Sequence, residues 1–277
     1  MSGADRPAGR PPRRRAAAAP WPLAVPAVLG AAFLLLPLVG LLVRTPWRSL
    51  PDLVGDPIVR QALRLSLVSA TLATALSVLL GVPLAWVLAR TRLRGRFLLR
   101  ELVTLPLVLP PVVGGVALLL ALGRRGIVGR YLESWFGVTI PFTTTAVVLA
   151  ETFVAMPFLV ITVEGALRAA DVRYEEASAS LGASRWTTFR RVTLPLIAPS
   201  VLAGAVLCWA RALGEFGATI TFAGNFPGTT QTMPIAVYLA LETDPDAAIA
   251  LSLVLLAVSV AILVGLRHRI VRSGPAG

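Results

Sequence analysis

Arg211 and Glu215 stand one helical turn apart near the end of an apolar run, a spacing at which guanidinium and carboxylate pair and burial of either becomes much less costly. Downstream, Thr219, Thr221, Asn225, Thr229, Thr230, Gln231 and Thr232 supply neutral hydrogen-bonding groups among interspersed glycines, and no second cation follows in the stretch 210–234. A neutral, donor-rich lining suits a hydrated oxyanion that must be passed on rather than held, because tight binding blocks release. Arg211, Glu215, Thr219, Thr221, Asn225 and Gln231 are therefore candidates for a translocation path or gate. Chemistry alone also allows, and leans toward, a plain helix-locking ion pair with threonines that cap turns.

Little else in the chain could make or break a bond. Its 277 residues include one Cys, one His and no Lys. His268 sits among Arg267, Arg269 and Arg272, without a Ser–His–Asp arrangement, and two soft ligands cannot build a metal site. Cys208 falls in a row with Gly204 and Ala212, four residues apart, the spacing of a helix-packing seam. Without lysine a G-x-x-x-x-G-K-[ST] phosphate loop cannot exist, so no cofactor is expected on this chain, and ATP-driven work would need ATP and Mg on a separate ATPase. The chain reads as a transport subunit and not an enzyme. All 26 basic residues are arginine, and the net charge is +12. They lie at the ends of apolar runs, where they set topology and meet anionic headgroups, so membrane lipid is expected as a partner and nucleic acid is not.

The elements that position these residues are membrane helices, for 56% of the chain is hydrophobic and the mean hydropathy is +0.78. Apolar runs at 21–43, 62–88, 102–122, 143–163, 196–213 and 247–266 predict an all-α polytopic protein with six transmembrane helices. Residues 1–20, rich in Arg and Pro, read as a disordered cytoplasmic tail. Residues 21–60 hold the first span and an external loop, 61–266 the core with the other five spans, and 267–277 a second cytoplasmic tail. The first run, at 23 residues, exceeds the roughly 7–15 residues of a signal-peptide core and reads as a span. The third carries Pro106, Pro110, Pro111 and the pair Gly114-Gly115, which predicts a kink or break that either marks the translocation route or only shapes packing. The fourth holds Glu151 at a costly depth, and Asp246 is placed to cap the sixth. With the N-terminus inside, eighteen arginines fall on the cytoplasmic side and seven outside, so both termini are expected in the cytoplasm.

Between the fourth and fifth runs lies a polar segment, 171–195. Asp171 can cap a helix, Glu175 and Glu176 face the positive end of its dipole, and Gly182 can end it with a left-handed residue. Ser184 can cap a second short helix, with Trp186 and Phe189 on one face, Arg190 and Arg191 following, and Pro195 opening the next apolar run. Two short helices hinged at glycine make an angled amphipathic knob. It is either a docking surface or an ordinary helix lying on the membrane.

Glu176-Ala177-Ser178, three residues, Gly182, nine residues and Val192-Thr193-Leu194-Pro195 resembles the E-A-A signature of the inner-membrane permease subunits of ATP-binding-cassette importers. Ser178 and Val192 depart from the family's Ala and Ile. The resemblance implies the type I importer permease fold, with cytoplasmic coupling helices at 171–191 that dock on ATPase subunits through Glu175, Glu176, Ala177, Gly182, Ala183, Trp186, Phe189 and Arg190. The run G-E-F-G-A-T-I-T-F-A-G-N from Gly214, with the later P-G-T-T-Q-T-M-P, resembles the equivalent stretch of molybdate permease subunits. That implies a homodimeric permease in a bacterial inner membrane, fed by an extracytoplasmic molybdate-binding protein. Sulfate, thiosulfate or tungstate is the alternative cargo. An ion-coupled carrier using Glu151, Glu164 or Glu215 is the alternative mechanism, and a scaffold that transports nothing is a third reading.

Overall fold

The computed structural model describes residues 21–272, with side chains from 22 to 265. The expected tail at 1–20 and the end of the other, 273–277, lie outside the described residues. These residues form helices and connecting loops without a strand, and they divide into two units after Arg44. The first unit holds α1 (Trp21–Arg44), whose apolar stretch is long enough to cross a membrane.

The second unit opens with α2 (Leu50–Gly55) and α3 (Pro57–Arg90). Asp56 starts α3 by accepting the Ile58 N–H at 2.7 Å, with Pro57 in the first helical position. The third expected span is broken into α4 (Arg96–Val108) and α5 (Pro111–Leu122). Each proline forces the residue before it out of the helical region, and Leu109 and Pro110 are accordingly extended, with ψ of 132° and 134°. Among the described residues five single helices are long and apolar enough to cross a membrane; the remaining expected span, the third, is this divided pair.

After α6 (Gly129–Phe136) comes α7 (Thr144–Ala169), capped by the Thr143 hydroxyl on the Ala146 N–H. Then follow α8 (Arg173–Ser180), α9 (Arg185–Thr188) and α10 (Leu194–Leu213). Here the structure departs from the sequence reading. The second short helix does not stop before Pro195. It runs through a π turn at Phe189–Thr193 into α10, making one apolar helix of 29 residues, Arg185–Leu213. In the π turn the Leu194 N–H reaches back to the Phe189 carbonyl, and Pro195, with no N–H to give, fits the first turn after this widened one.

The chain ends in α11 (Gly217–Ala223), α12 (Met233–Thr243) and α13 (Pro245–Arg272). Asp244, not Asp246, starts α13: it accepts the N–H groups of Asp246 and Ala247 at 3.1 Å each, because Pro245 takes the first helical position. The helix also continues through 267–272, which the sequence assigned to a tail.

The core is built from close backbone approach. α7 packs between α3 and α10 through Ala70, Ala73, Ala85, Ala155, Cys208 and Ala212, all buried. A Cβ on Gly81 would lie 3.0 Å from Leu159, and one on Gly204 would lie 3.2 Å from Thr162. Lipid offers no hydrophobic drive between helices, so small residues that admit van der Waals contact hold them together. The same device seats α11 on α5: a Cβ on Gly115 would stand 2.7 Å from Thr221 and 2.8 Å from the Ala218 carbonyl.

Candidate functional site

The hinged segment forms as its residue types dictate. Asp171 accepts the Arg173 N–H at 3.0 Å, and α8 runs to Ser180. Gly182 adopts φ +82°. Its N–H bonds to the Ala179 carbonyl at 2.9 Å while the Ala183 N–H reaches the Ser178 carbonyl at 3.1 Å, the paired bonds of a Schellman turn. Ser184 then accepts the Thr187 N–H at 3.2 Å and starts α9. The Ser178 and Thr188 hydroxyls meet at 3.0 Å across this turn, so the serine at the third signature position ties the two helices together.

The candidate docking residues divide into two sets. Glu176, Ala177, Gly182, Trp186 and Arg190 are exposed. Glu175, Ala183 and Phe189 are half-buried and face inward. The Glu175 carboxylate accepts from Arg90 Nε at 3.1 Å and from the Thr193 hydroxyl at 3.2 Å, and Arg90 also reaches the Ala170 carbonyl at 3.5 Å. Phe189 packs edge-on against Trp86 of α3, ring centres 6.3 Å apart, and stacks on Trp186 at 5.8 Å. Glu175 and Phe189 thus anchor the segment to the end of α3. Arg90 and Trp86 were not singled out from sequence, since nothing local points 85 residues away. Leu181, 89% exposed at the turn, was also missed; so large an apolar group left in water is a signal of contact.

Removing the anchor has a measurable consequence. With only 12% and 20% of the two side chains exposed, Glu175→Ala is expected to lower the opening free energy of α8 by about 1–2 kcal/mol, leaving Arg90 half-buried and unpaired. Amide exchange of residues 173–180 should quicken about tenfold; unchanged exchange would mean the pair carries no load.

At the far end of α10, Arg211 and Glu215 pair at 2.7 Å, with 28% and 1% of their side chains exposed. The second Glu215 oxygen accepts the Ala218 N–H at 2.8 Å, so the start of α11 is already satisfied by this carboxylate. Thr221 leaves the candidate lining: its hydroxyl bonds the Gly217 carbonyl at 2.8 Å and its Cβ faces Gly115. Thr219 Oγ1, Asn225 Oδ1 and Gln231 Oε1 are buried without a hydrogen-bond partner among the described residues, and so is Thr232 Oγ1. They are buried groups of this stretch with hydrogen-bonding capacity left over.

In the segment 224–232, residues 226–229 stay exposed and the chain turns inward at 230–232. Thr230, Gln231 and Thr232 are buried, the Met233 N–H donates to Ser66 of α3 at 2.8 Å, and Thr144 of α7 donates to the Thr229 carbonyl at 2.9 Å. Irregular backbone at membrane depth is tolerated where protein covers it. Beside it Glu151 is buried and accepts from the Ser69 hydroxyl at 2.8 Å. Glu164 lies elsewhere, held by Arg168 at 2.7 Å and Arg100 at 3.2 Å, which leaves it little capacity for a transported cation. Among the described residues no cluster of three His, Cys, Asp or Glu could hold a metal.

The pattern of the binding-protein-dependent transport system inner membrane component matches residues 77–273, most of the second unit. The chain belongs to this family. One relative of this inner membrane component is the molybdenum transport system permease protein ModB of Mycobacterium tuberculosis, 53% identical over 245 residues, covering 88% of this chain and 92% of the relative. The sulfate transport system permease protein CysT of Escherichia coli is 37% identical over 234 residues, 83% of this chain and 84% of the relative. Among solved structures, a bacterial alginate ABC transporter in complex with an alginate pentasaccharide-bound periplasmic protein superposes with a TM-score of 0.74 at 21% identity, covering 93% of this chain and 95% of that one, a likeness of fold. The inner membrane component is therefore a multi-pass membrane permease subunit with the importer-permease fold expected from its sequence.

Proposed function

We propose that this permease carries molybdate inward across a bacterial cytoplasmic membrane, as a homodimer joined to two ABC ATPase subunits and supplied by an extracytoplasmic molybdate-binding protein. The observation that carries the cargo is the 53% identity to a molybdenum permease over 88% of the chain, against 37% to a sulfate permease. Sulfate stays the second reading on that lower figure.

The chain acts by alternating access. ATP and Mg sit on the ATPases, whose closure moves the exposed face formed by Glu176, Ala177, Leu181, Trp186 and Arg190; Glu175 and Phe189 pass that motion to α3, and the direct continuation of α9 passes it to α10. The unpartnered Thr219 hydroxyl and the amide NH2 groups of Asn225 and Gln231, not their buried oxygens, are the neutral donors for the anion, while Arg211 is restrained by Glu215 from binding it too tightly. Both termini lie in the cytoplasm, by the arginine bias.

Uptake of radiolabelled molybdate into proteoliposomes holding permease and ATPase, with the binding protein outside, tests the proposal. Uptake is expected to need ATP, to be abolished by excess tungstate and to be spared by excess sulfate. Loss to sulfate would move the cargo, and uptake that ignores ATP but collapses with the membrane potential would replace the mechanism by an ion-coupled one.

A further inference from the structure

Two spans end at the same place. α3 finishes at Arg90, and the continuous apolar helix begins at Arg185. Between these ends lies a cavity of about 460 Å³ whose walls include Arg90, Arg92, Arg185, Thr91 and Thr188. A second cavity of about 280 Å³ adjoins it, walled by Pro83, Trp86, Val87, Trp186 and Phe189, and shares Trp86, Phe189 and Arg185 with the first. One space carries the cationic and hydroxyl groups on a partly apolar wall, the other is apolar apart from the Arg185 they share.

The arginines do not cancel out. Arg90 is engaged by Glu175, but Arg92 and Arg185 have no ion pair among the described residues, so the cavity keeps an excess of positive charge. Arg90 and Arg92 close the apolar span of α3, which sets the arginine-bearing space at the end of that span, while Pro83 and Val87 of the apolar space lie one to two turns earlier, on its hydrocarbon side. A free oxyanion would use only the first space. A ligand with a phosphate at one end and a hydrocarbon chain at the other uses both.

We propose that the two cavities together hold one anionic phospholipid, its phosphate against Arg92 and Arg185 and an acyl chain in the slot between Trp86, Val87 and Trp186. Bound there, it bridges α3 and the start of the long helix beside the hinged segment. The proposal rests on where the two spans end and not on the cargo, so failure of molybdate uptake leaves it standing.

Native mass spectrometry of the full chain, with phosphatidylglycerol or phosphatidylcholine added in matched amounts, tests it. Phosphatidylglycerol is expected to be retained in preference to phosphatidylcholine, and inorganic phosphate to leave it in place. An arginine near an anionic headgroup is worth about fivefold in affinity, so R92Q/R185Q should weaken retention about thirtyfold; both side chains are exposed and outside the packed core. Val87→Trp fills the slot with every arginine intact and should also expel the lipid. Retention unchanged in R92Q/R185Q or in Val87→Trp overturns the proposal. Displacement by inorganic phosphate would make the space a free-anion site, and loss of the lipid on assembly with the ATPase would give the cavity to that partner.

Discussion

Gly182→Val is expected to abolish coupling between ATP hydrolysis and uptake while leaving the chain inserted in the membrane. At φ +82° a β-branched side chain is strained by about 1–3 kcal/mol, and no neighbouring atom within 4 Å would be struck, so the cost is one of backbone and not of clash. The turn escapes by abandoning left-handed geometry. It then loses the bonds from Gly182 and Ala183 to Ala179 and Ser178, and the angle between α8 and α9 is no longer fixed. Gly137, at φ +65° and also facing open space, closes α6 and supplies the control: Gly137→Val carries the same strain but should leave coupling intact. Co-purification with the ATPase and molybdate delivered per ATP hydrolysed are the measurements. A Gly182→Val permease that still binds its ATPase and couples normally would remove the docking role from this segment.

Arg211→Ala is expected to destabilise the chain by about 3 kcal/mol, because Glu215, 1% exposed, would be left with only the Ala218 N–H as partner. Glu215→Ala should cost somewhat less, since Arg211 retains some contact with solvent. In R211L/E215L both charges are gone, and most of the lost stability should return. Thermal unfolding in detergent reads the first effect and uptake the second. Stability restored without uptake places the pair on the translocation path; stability and uptake restored together reduce it to a lock between helices.

The spans were legible because lipid demands about twenty apolar residues in a row, a condition few soluble segments meet. The break at Leu109–Pro110 was legible for a similar reason, since consecutive prolines leave the backbone no helical choice. Proline misled at 195: alone it marks a boundary, but a π turn just before it lets the helix continue, and nothing in the local residue types announces that turn. Asp244 and Asp246 flank Pro245, and the choice between them depends on which residue enters the helix first. Within the candidate site, hinge and caps were readable because their partners lie within a few residues. The Glu175–Arg90 anchor, the Ser69–Glu151 bond and the seat of Met233 on Ser66 join residues 82 to 167 positions apart, and only the folded chain brings them together.

The uninterrupted run from Arg185 to Leu213 has a mechanical implication. Twenty-nine residues rising about 1.5 Å each make a rod about 43 Å long, with Ser184 at its outer tip and the Arg211–Glu215 pair at its inner one. Gly204, clasped 3.2 Å from Thr162, stands about two thirds of the way along and is a natural fulcrum. On such a lever the outer arm is about twice the inner, so a displacement of several ångströms at the tip reaches the carboxylate at about half its size and in the opposite direction, a step of the order that makes or breaks one hydrogen bond.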